Sequence, residues 1–228
     1  MRSAEVAIII PVFNEAEVIK GVVNKVLKHF EYVVCVDDGS LDDSVAAISQ
    51  TKARLVKHPV NLGQGASLQT GIEFALLNKK IKYFVTYDAD GQHDINDVLL
   101  MLATIKKTHV DIILGSRFLG KAENITWLKK RVLKLAIIFS NRTSGIQLTD
   151  AHNGLRVFNR KVASQLNITM PDFSHASEII ERIAHKKFTY QEVPITVTYT
   201  DYSRKKGQSM LNAVNISFDI FLNRFTKK

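Results

Sequence analysis

Three acids, a glutamine and a histidine follow a strand-forming run in "YFVTYDADGQHD", residues 83–94. Asp88 and Asp90 stand two residues apart, and neighbouring carboxylates repel unless a cation lies between them. Carboxylates, an amide carbonyl and waters are the ligands that hard divalent ions such as Mg²⁺ or Mn²⁺ take. A calcium loop fits badly: Gly91 stands fourth from Asp88 instead of sixth, and Leu99 occupies the twelfth position, where Glu belongs. Zinc fits badly too, with His93 alone and no cysteine near. The same letters also suit a plain Asp/Gly turn, in which His93 and Asp94 only shape the loop.

Two further stretches carry nucleotide-type chemistry. In "CVDDGSLDD", Asp37 and Asp38 precede Gly39, where an acid can accept from ribose hydroxyls or a base edge. The alternative is a helix cap made by Ser40, with Asp42 and Asp43 at the positive helix end. "NLGQGASLQTG" is not a dinucleotide fingerprint, because the third glycine would fall at Leu68 and the loop follows the third strand. It reads as a loop whose backbone approaches a nucleotide, or as a plain loop. "GSR" (115–117) and "SRKKGQS" (203–209) supply Arg117, Arg204, Lys205 and Lys206, and guanidinium groups bind phosphate oxygens bidentately. Together these groups describe a diphosphate site that would stabilise a departing nucleoside diphosphate.

Such clusters need a scaffold to bring them together. "VAIIIPV" (6–12) reads as a fully buried strand, followed by a helix over 15–30 with Val18, Ile19, Val22, Val23, Val26 and Leu27 as its stripe. "YVVCVDD", "ARLVKH", "KYFVTYD" and "VDIILGSR" read as four more strands. Helices fall at "SLDDSVAAISQT", over 66–78, and at "NDVLLMLATIKK" with Asn96 near its cap. The alternation predicts an α/β fold, a mainly parallel sheet flanked by helices, with ligands outside the carboxyl ends of the strands. Those ends are Pro11–Glu15, Asp37–Ser40, Asp88–Gln92 and Gly115–Arg117, so one shared site is expected.

The second half changes character. Residues 125–142 mix Trp127, Leu128, Val132, Leu135, Ile138 and Phe139 with Lys129, Lys130, Arg131, Lys134 and Arg142. A helix at "SHASEIIERIA" and a strand at "YQEVPITVTYT" lead to the basic loop. A last helix follows, with Leu211, Val214, Phe218, Phe221 and Phe225 at three-four spacing. Basic amphipathic helices lie in a bilayer interface; packing on the core or on another subunit of a homo-oligomer is the alternative. Residues 1–116 hold 12 Lys/Arg against 14 Asp/Glu, residues 117–228 hold 19 against 8, so the net +9 belongs to the second half. That asymmetry points to an anionic partner there.

With 228 residues and 46% hydrophobic content, the chain reads as one domain, 1–228. The lone Cys35 suits a reducing compartment and a strand interior. The first residues do not read as a signal peptide, since Glu5 precedes the apolar run and Pro11 breaks it. No run of about 18 apolar residues predicts a spanning helix.

In order, "IIIPVFNE", "VDDGSLDD", "NLGQGASLQTG", "DADGQH", "GSR", "TDAHNGLRVF" and "YSRKKGQS" resemble the inverting family 2 glycosyltransferases of GT-A (Rossmann-like) fold. The match is to the dolichyl- and polyprenyl-phosphate sugar transferase branch and spans residues 5–210. The resemblance implies a nucleotide-sugar half, 1–116, and an acceptor- and membrane-facing half, 117–228. Pro11, Asn14, Glu15, Asp38, Gly65 and Asp88 would hold the donor. Asp88, Asp90 and Gln92 would surround Mg²⁺ or Mn²⁺. Arg117, Arg156, Arg204 and Ser209 would face phosphates, and Asp150 would be the base if the acceptor is a hydroxyl. His152 is a weaker candidate. The implied reaction moves a hexosyl unit from UDP-glucose, UDP-N-acetylglucosamine or GDP-mannose to polyprenyl (undecaprenyl) phosphate, or else to a glycan hydroxyl in capsule or cell-wall assembly.

The chain departs from many relatives in two ways: it lacks their C-terminal membrane helices, and Met210 replaces the lysine after G-x-S. It resembles the short bacterial members, which sit peripherally on the cytoplasmic face and often depend on a small membrane partner protein. A nucleotidyltransferase would carry a Gly-rich basic loop where "PVFNE" stands. A nucleic-acid module would leave the strand-end acids unexplained, because carboxylates repel phosphate without a metal.

Overall fold

Every residue of "VAIIIPV" is apolar because both faces of its strand are covered. In the computed structural model, which describes residues 3–170 and 174–203, β1 (Ser3–Val12) is flanked by β2 (Phe30–Asp37) and β4 (Tyr83–Thr86). Ile8, Ile10 and Val12 face one core with α1 (Ile19–Leu27) and α4 (Ile95–Thr108). Ala7 and Ile9 face the other with α3 (Gln64–Leu76), α6 (Arg160–Ala163) and α7 (Ser174–His185). Period-two alternation splits one strand between two cores.

The remaining elements are α2 (Ser44–Ser49), β3 (Arg54–Lys57), β5 (Ile112–Glu123), α5 (Trp127–Ser144), β6 (Arg156–Asn159) and β7 (Tyr190–Thr198). The sheet runs β3-β2-β1-β4-β6-β5-β7. All pairs are parallel except those of β6, which is antiparallel to both β4 and β5. The five strands of the first half thus form as expected. The four residues of β6 were too few to announce a strand, and their reversed direction came from tertiary pairing.

Two boundaries differ from expectation. The first helix starts at Ile19 instead of residue 15, because the Asn14, Glu15 and Ala16 N–H groups donate to Ser40 Oγ, Ser44 Oγ and Asp42 Oδ2. Ser40 therefore does not cap α2; Asp42 accepts from the Ser44 N–H at 3.0 Å instead. Cys35 is buried in β2, where burial pushes its thiol up to about 12 and keeps it protonated.

Asp111, buried just before β5, ties three strands. It accepts from the Thr189 N–H and hydroxyl, Asn159 Nδ2 and Lys161 Nζ at 3.0–3.1 Å. Burial raises its pKa, but these donors outweigh burial and hold it below the usual range. Its contribution is therefore present above the unfolded pKa of about 3.9 and lost as pH falls through the folded value. Asp111→Ala should cost about 2 kcal/mol in urea unfolding at pH 7, with the difference from wild type shrinking in acid; an equal difference at both pH values would refute this.

Candidate functional site

The ends of β1, β2, β3, β4 and the start of β6 open on one side of the sheet. Pro11 is buried in β1, two residues beyond the last β1–β4 pair, where a missing N–H leaves no gap in that ladder. Asn14 has a left-handed backbone (φ 54°) that asparagine tolerates. Its N–H and side-chain oxygen knit the β1 and β2 loops through Ser40 and Leu41. Glu15 is buried, and the Tyr202 hydroxyl donates to it at 2.7 Å.

Asp38 turns inward. It takes His58 Nδ1 at 2.7 Å and the N–H groups of Leu62 and Gly63 at 3.0 and 2.8 Å, so it holds the 58–63 loop. The unclaimed acceptor is on its neighbour: Asp37 Oδ1 is buried with no partner among the described residues. A Cβ at Gly65 would lie 2.1 Å from the Met170 carbonyl oxygen and 2.9 Å from His175 Cβ, so close packing alone already requires a glycine there.

The acidic turn is pinned to β7. Gln92 O accepts from the Thr198 N–H, His93 bridges to Val197, and the Tyr87 hydroxyl donates to the His93 carbonyl. His93 Nε2 meets Asp88 Oδ2 at 2.9 Å and Gln64 Nε2 donates to Asp88 Oδ1 at 3.3 Å. A carboxylate only accepts, so Nε2 carries the proton. Burial opposes the Asp88 charge, but His93, then Arg156 and His175, hold its pKa below the usual range. Asp90 accepts from both the backbone and the amide nitrogen of Gln92. Burial first, and the Asp88 charge second, push Asp90 up to about 6.

Among the described residues, no three His, Cys, Asp or Glu side chains form a metal cage. The donor set fits a divalent ion nonetheless. Two neighbouring carboxylates are what Mg²⁺ or Mn²⁺ uses when phosphates and waters complete the shell.

Arg117 and Asp150 are joined. Asp150 Oδ2 accepts the Arg117 N–H at 3.0 Å and its Nε–H at 2.6 Å, and Arg117 Nη1 donates to the Tyr199 hydroxyl at 2.8 Å. Burial disfavours the Arg117 charge, but Asp150 outweighs it and lifts the guanidinium above its ordinary range. Asp150, expected as a base for a hydroxyl acceptor, and Arg117, expected to face a phosphate, thus form one buried ion pair. Arg156 differs: it makes no ion pair among the described residues, its Nη1 has no hydrogen-bond partner there, and burial pushes it down to about 10, with Asp88 and Asp150 opposing. His152 is pushed down to about 4 by burial and stays neutral at pH 7.

Arg204, Ser209, Lys205, Lys206, Met210 and the last helix lie outside the described residues. Gln64, His175, Tyr199 and Tyr202 are not singled out as site residues by the sequence. Gln64, inside "NLGQGASLQTG", and the tyrosines of "TYTDYSR" lie within or next to a motif, whereas His175 carries no such signal.

On α5, Trp127, Leu128, Leu135 and Ile138 are exposed, as are Lys130, Arg131, Lys134 and Arg142. Among the described residues no helix is long and apolar enough to cross a membrane.

The model of glycosyl transferase family 2 matches residues 7–166. The uncharacterized protein MJ1222 of Methanocaldococcus jannaschii is 30% identical, over 96% of this chain and 92% of its own. A UDP-N-acetylglucosamine–dolichyl-phosphate N-acetylglucosaminyltransferase of Methanococcus voltae is 28% identical over 100% and 99%. Polyprenol monophosphomannose synthase of Mycolicibacterium smegmatis is 26% identical over 94% and 83%. Among solved structures, glucosyl-3-phosphoglycerate synthase from Mycobacterium tuberculosis, in complex with Mn²⁺, UDP-glucose and phosphoglyceric acid, superposes with a TM-score of 0.64. It shares 14% identity over 94% of this chain and 79% of that one.

Proposed function

The chain belongs to glycosyl transferase family 2 and has the GT-A fold, and on that premise we propose that it transfers a hexosyl unit from a nucleotide sugar to polyprenyl phosphate. In this reading it works with inversion, with Mg²⁺ or Mn²⁺, peripherally on the inner face of the membrane. The observation that carries it is the acidic turn itself: Asp88 and Asp90 stand at the end of β4, with burial and the Asp88 charge pushing Asp90 up, beside the buried Arg156 guanidinium. When bound, a divalent ion supplies charge stabilisation to the donor diphosphate. The chain's own residues do the rest. Asp88 and Asp90 hold that end of the donor, with His93 fixing the orientation of Asp88. Asp37 Oδ1 is an acceptor for a nucleoside N–H or O–H, and Arg156 offers its unused N–H to a phosphate oxygen.

A lipid phosphate attacks with an oxygen that is already anionic. It needs no base, which agrees with Asp150 serving as the counter-ion of Arg117. The Methanococcus relative is named for dolichyl phosphate and the Mycolicibacterium relative for polyprenol monophosphomannose, which supports the same acceptor. The test is to incubate the protein with vesicles containing undecaprenyl phosphate, Mn²⁺ and labelled UDP-glucose, UDP-N-acetylglucosamine or GDP-mannose, then extract the lipid. Native membranes added in parallel supply any small partner protein. No labelled lipid with any donor in either arm refutes the reading.

The exposed face of α5 supports a bilayer site for this reaction, since four basic side chains flank its apolar ones. Trp127→Glu with Leu135→Glu should release the protein from anionic vesicles in a flotation assay by about tenfold or more, while nucleotide binding stays unchanged. Undiminished flotation counts against this face.

A further inference from the structure

Glu192 lies on β7 opposite Leu114 of β5 and has no part in the site proposed above. Its carboxylate collects three donors from the segment before β6. The Thr149 N–H reaches both oxygens at 3.0 and 2.9 Å, the Thr149 hydroxyl donates at 2.9 Å and the Asp150 N–H at 3.1 Å. The direction of the next bond follows from counting protons. The one hydroxyl hydrogen of Thr149 points at a carboxylate, which only accepts. The 2.7 Å contact between Ser116 Oγ and Thr149 Oγ1 is therefore a donation from Ser116. Ser116 Oγ in turn accepts the Leu119 N–H at 3.2 Å. A one-way chain runs from Leu119 through Ser116 and Thr149 and ends on Glu192.

This chain spans an irregularity in β5. Ser116 pairs with Pro194, yet the next β5 partner of β7 is Lys121, opposite Thr196. The four intervening β5 residues, 117–120, stand against the single residue Ile195, one place past Pro194, which has no N–H to offer. Arg117 opens the bulge, and its N–H leaves the ladder for Asp150 Oδ2. Asp150 is thus gripped twice, by Glu192 at its main chain and by Arg117 at its side chain. Tyr199, just past the other end of β7, holds the far side of Arg117.

We infer that Glu192 is a positioning residue for glycosyl transfer: acting through Thr149 and Asp150, it sets where the Arg117–Asp150 pair stands against the reacting groups. It touches neither donor nor acceptor. The inference rests on the proposed function, with Arg117 facing a phosphate as the family resemblance implies. A glutamine there would keep one acceptor oxygen but turn an NH₂ donor toward N–H and O–H donors, so the three donors that Glu192 gathers on two oxygens could no longer all be satisfied.

The test uses the full chain, undecaprenyl-phosphate vesicles and the nucleotide sugar that wild type accepts. Glu192→Gln and Thr149→Val should lower kcat on the order of 10- to 100-fold with the nucleotide-sugar KM unchanged, whereas Thr149→Ser, which keeps the hydroxyl, should stay within about threefold of wild type. In amide NMR of the protein alone, the Thr149 and Asp150 protons should move upfield in Glu192→Gln. Wild-type kcat in Glu192→Gln overturns the inference. So does a loss shared equally by kcat, nucleotide-sugar affinity and unfolding midpoint, because that is a general structural role. If wild type labels no lipid, the proposed function fails, and unmoved Thr149 and Asp150 amide signals in Glu192→Gln then overturn the inference independently.

Discussion

Asp90→Asn should reduce labelled lipid by about 10³-fold or more at saturating Mn²⁺, because several kcal/mol of charge stabilisation at the diphosphate goes with it. The same change should make the metal-free protein more stable at pH 7. Asp90 carries its charge against burial and against Asp88, which push it up to about 6. A carboxyl raised above its unfolded value of about 3.9 favours the fold when protonated, so its contribution is full in acid and lost as pH rises through about 6. Asparagine mimics the protonated state and keeps that contribution at neutral pH. Thermal unfolding at pH 5 and pH 7, with and without Mn²⁺, checks both halves. Metal-free wild type should weaken between the two pH values more than the variant does, and Mn²⁺ should raise the wild-type midpoint alone. An Asp90→Asn protein that keeps wild-type turnover, or responds equally to Mn²⁺, rules out Asp90 as a metal ligand.

Gly154→Ala should be nearly as damaging, by about 100-fold in kcat, without adding or removing any charged group. A methyl at this position would lie 2.3 Å from Asp88 Oδ2 and 2.5 Å from Oδ1. The carboxylate cannot simply swing aside, because His93 holds one oxygen and Gln64 reaches the other. The Gly154 carbonyl is itself fixed, accepting from Thr86 Oγ1 at 2.6 Å. Either Asp88 or the 150–155 segment must move, and each carries part of the proposed site. The core beneath, with Leu155 and Val157 fully buried, is untouched. Circular dichroism should therefore match wild type while lipid labelling collapses. Full activity in Gly154→Ala would show that Asp88 needs no fixed placement.

Much of this architecture was readable because it depends on local pattern. The five strands of the first half were marked by apolar runs that ended in polar clusters, and strand ends in an α/β sheet share one edge. What escaped depends on contacts between distant residues. Arg117 and Asp150 are 33 positions apart, and residue type alone suggested a clamp and a base, whereas pairing made them one buried ion pair. The packing that requires a glycine at position 65 comes from the Met170 carbonyl, far along the chain and invisible to local pattern. Asp37 and Asp38 are adjacent and chemically identical. Only three-dimensional hydrogen bonding separates the one that holds the 58–63 loop from the one with a spare oxygen.

The reversed direction of β6 has a consequence for how such chains diversify. Four parallel strands deliver residues to the working edge where they finish, and β6 alone delivers them where it begins. Residues 145–155 therefore form a cassette, anchored by a helix on one side and a reversed strand on the other. Outside Thr149, Asp150 and Gly154, which touch the strand-end groups, insertions or replacements there can retune one partner of the reaction while the strand ends keep the other unchanged.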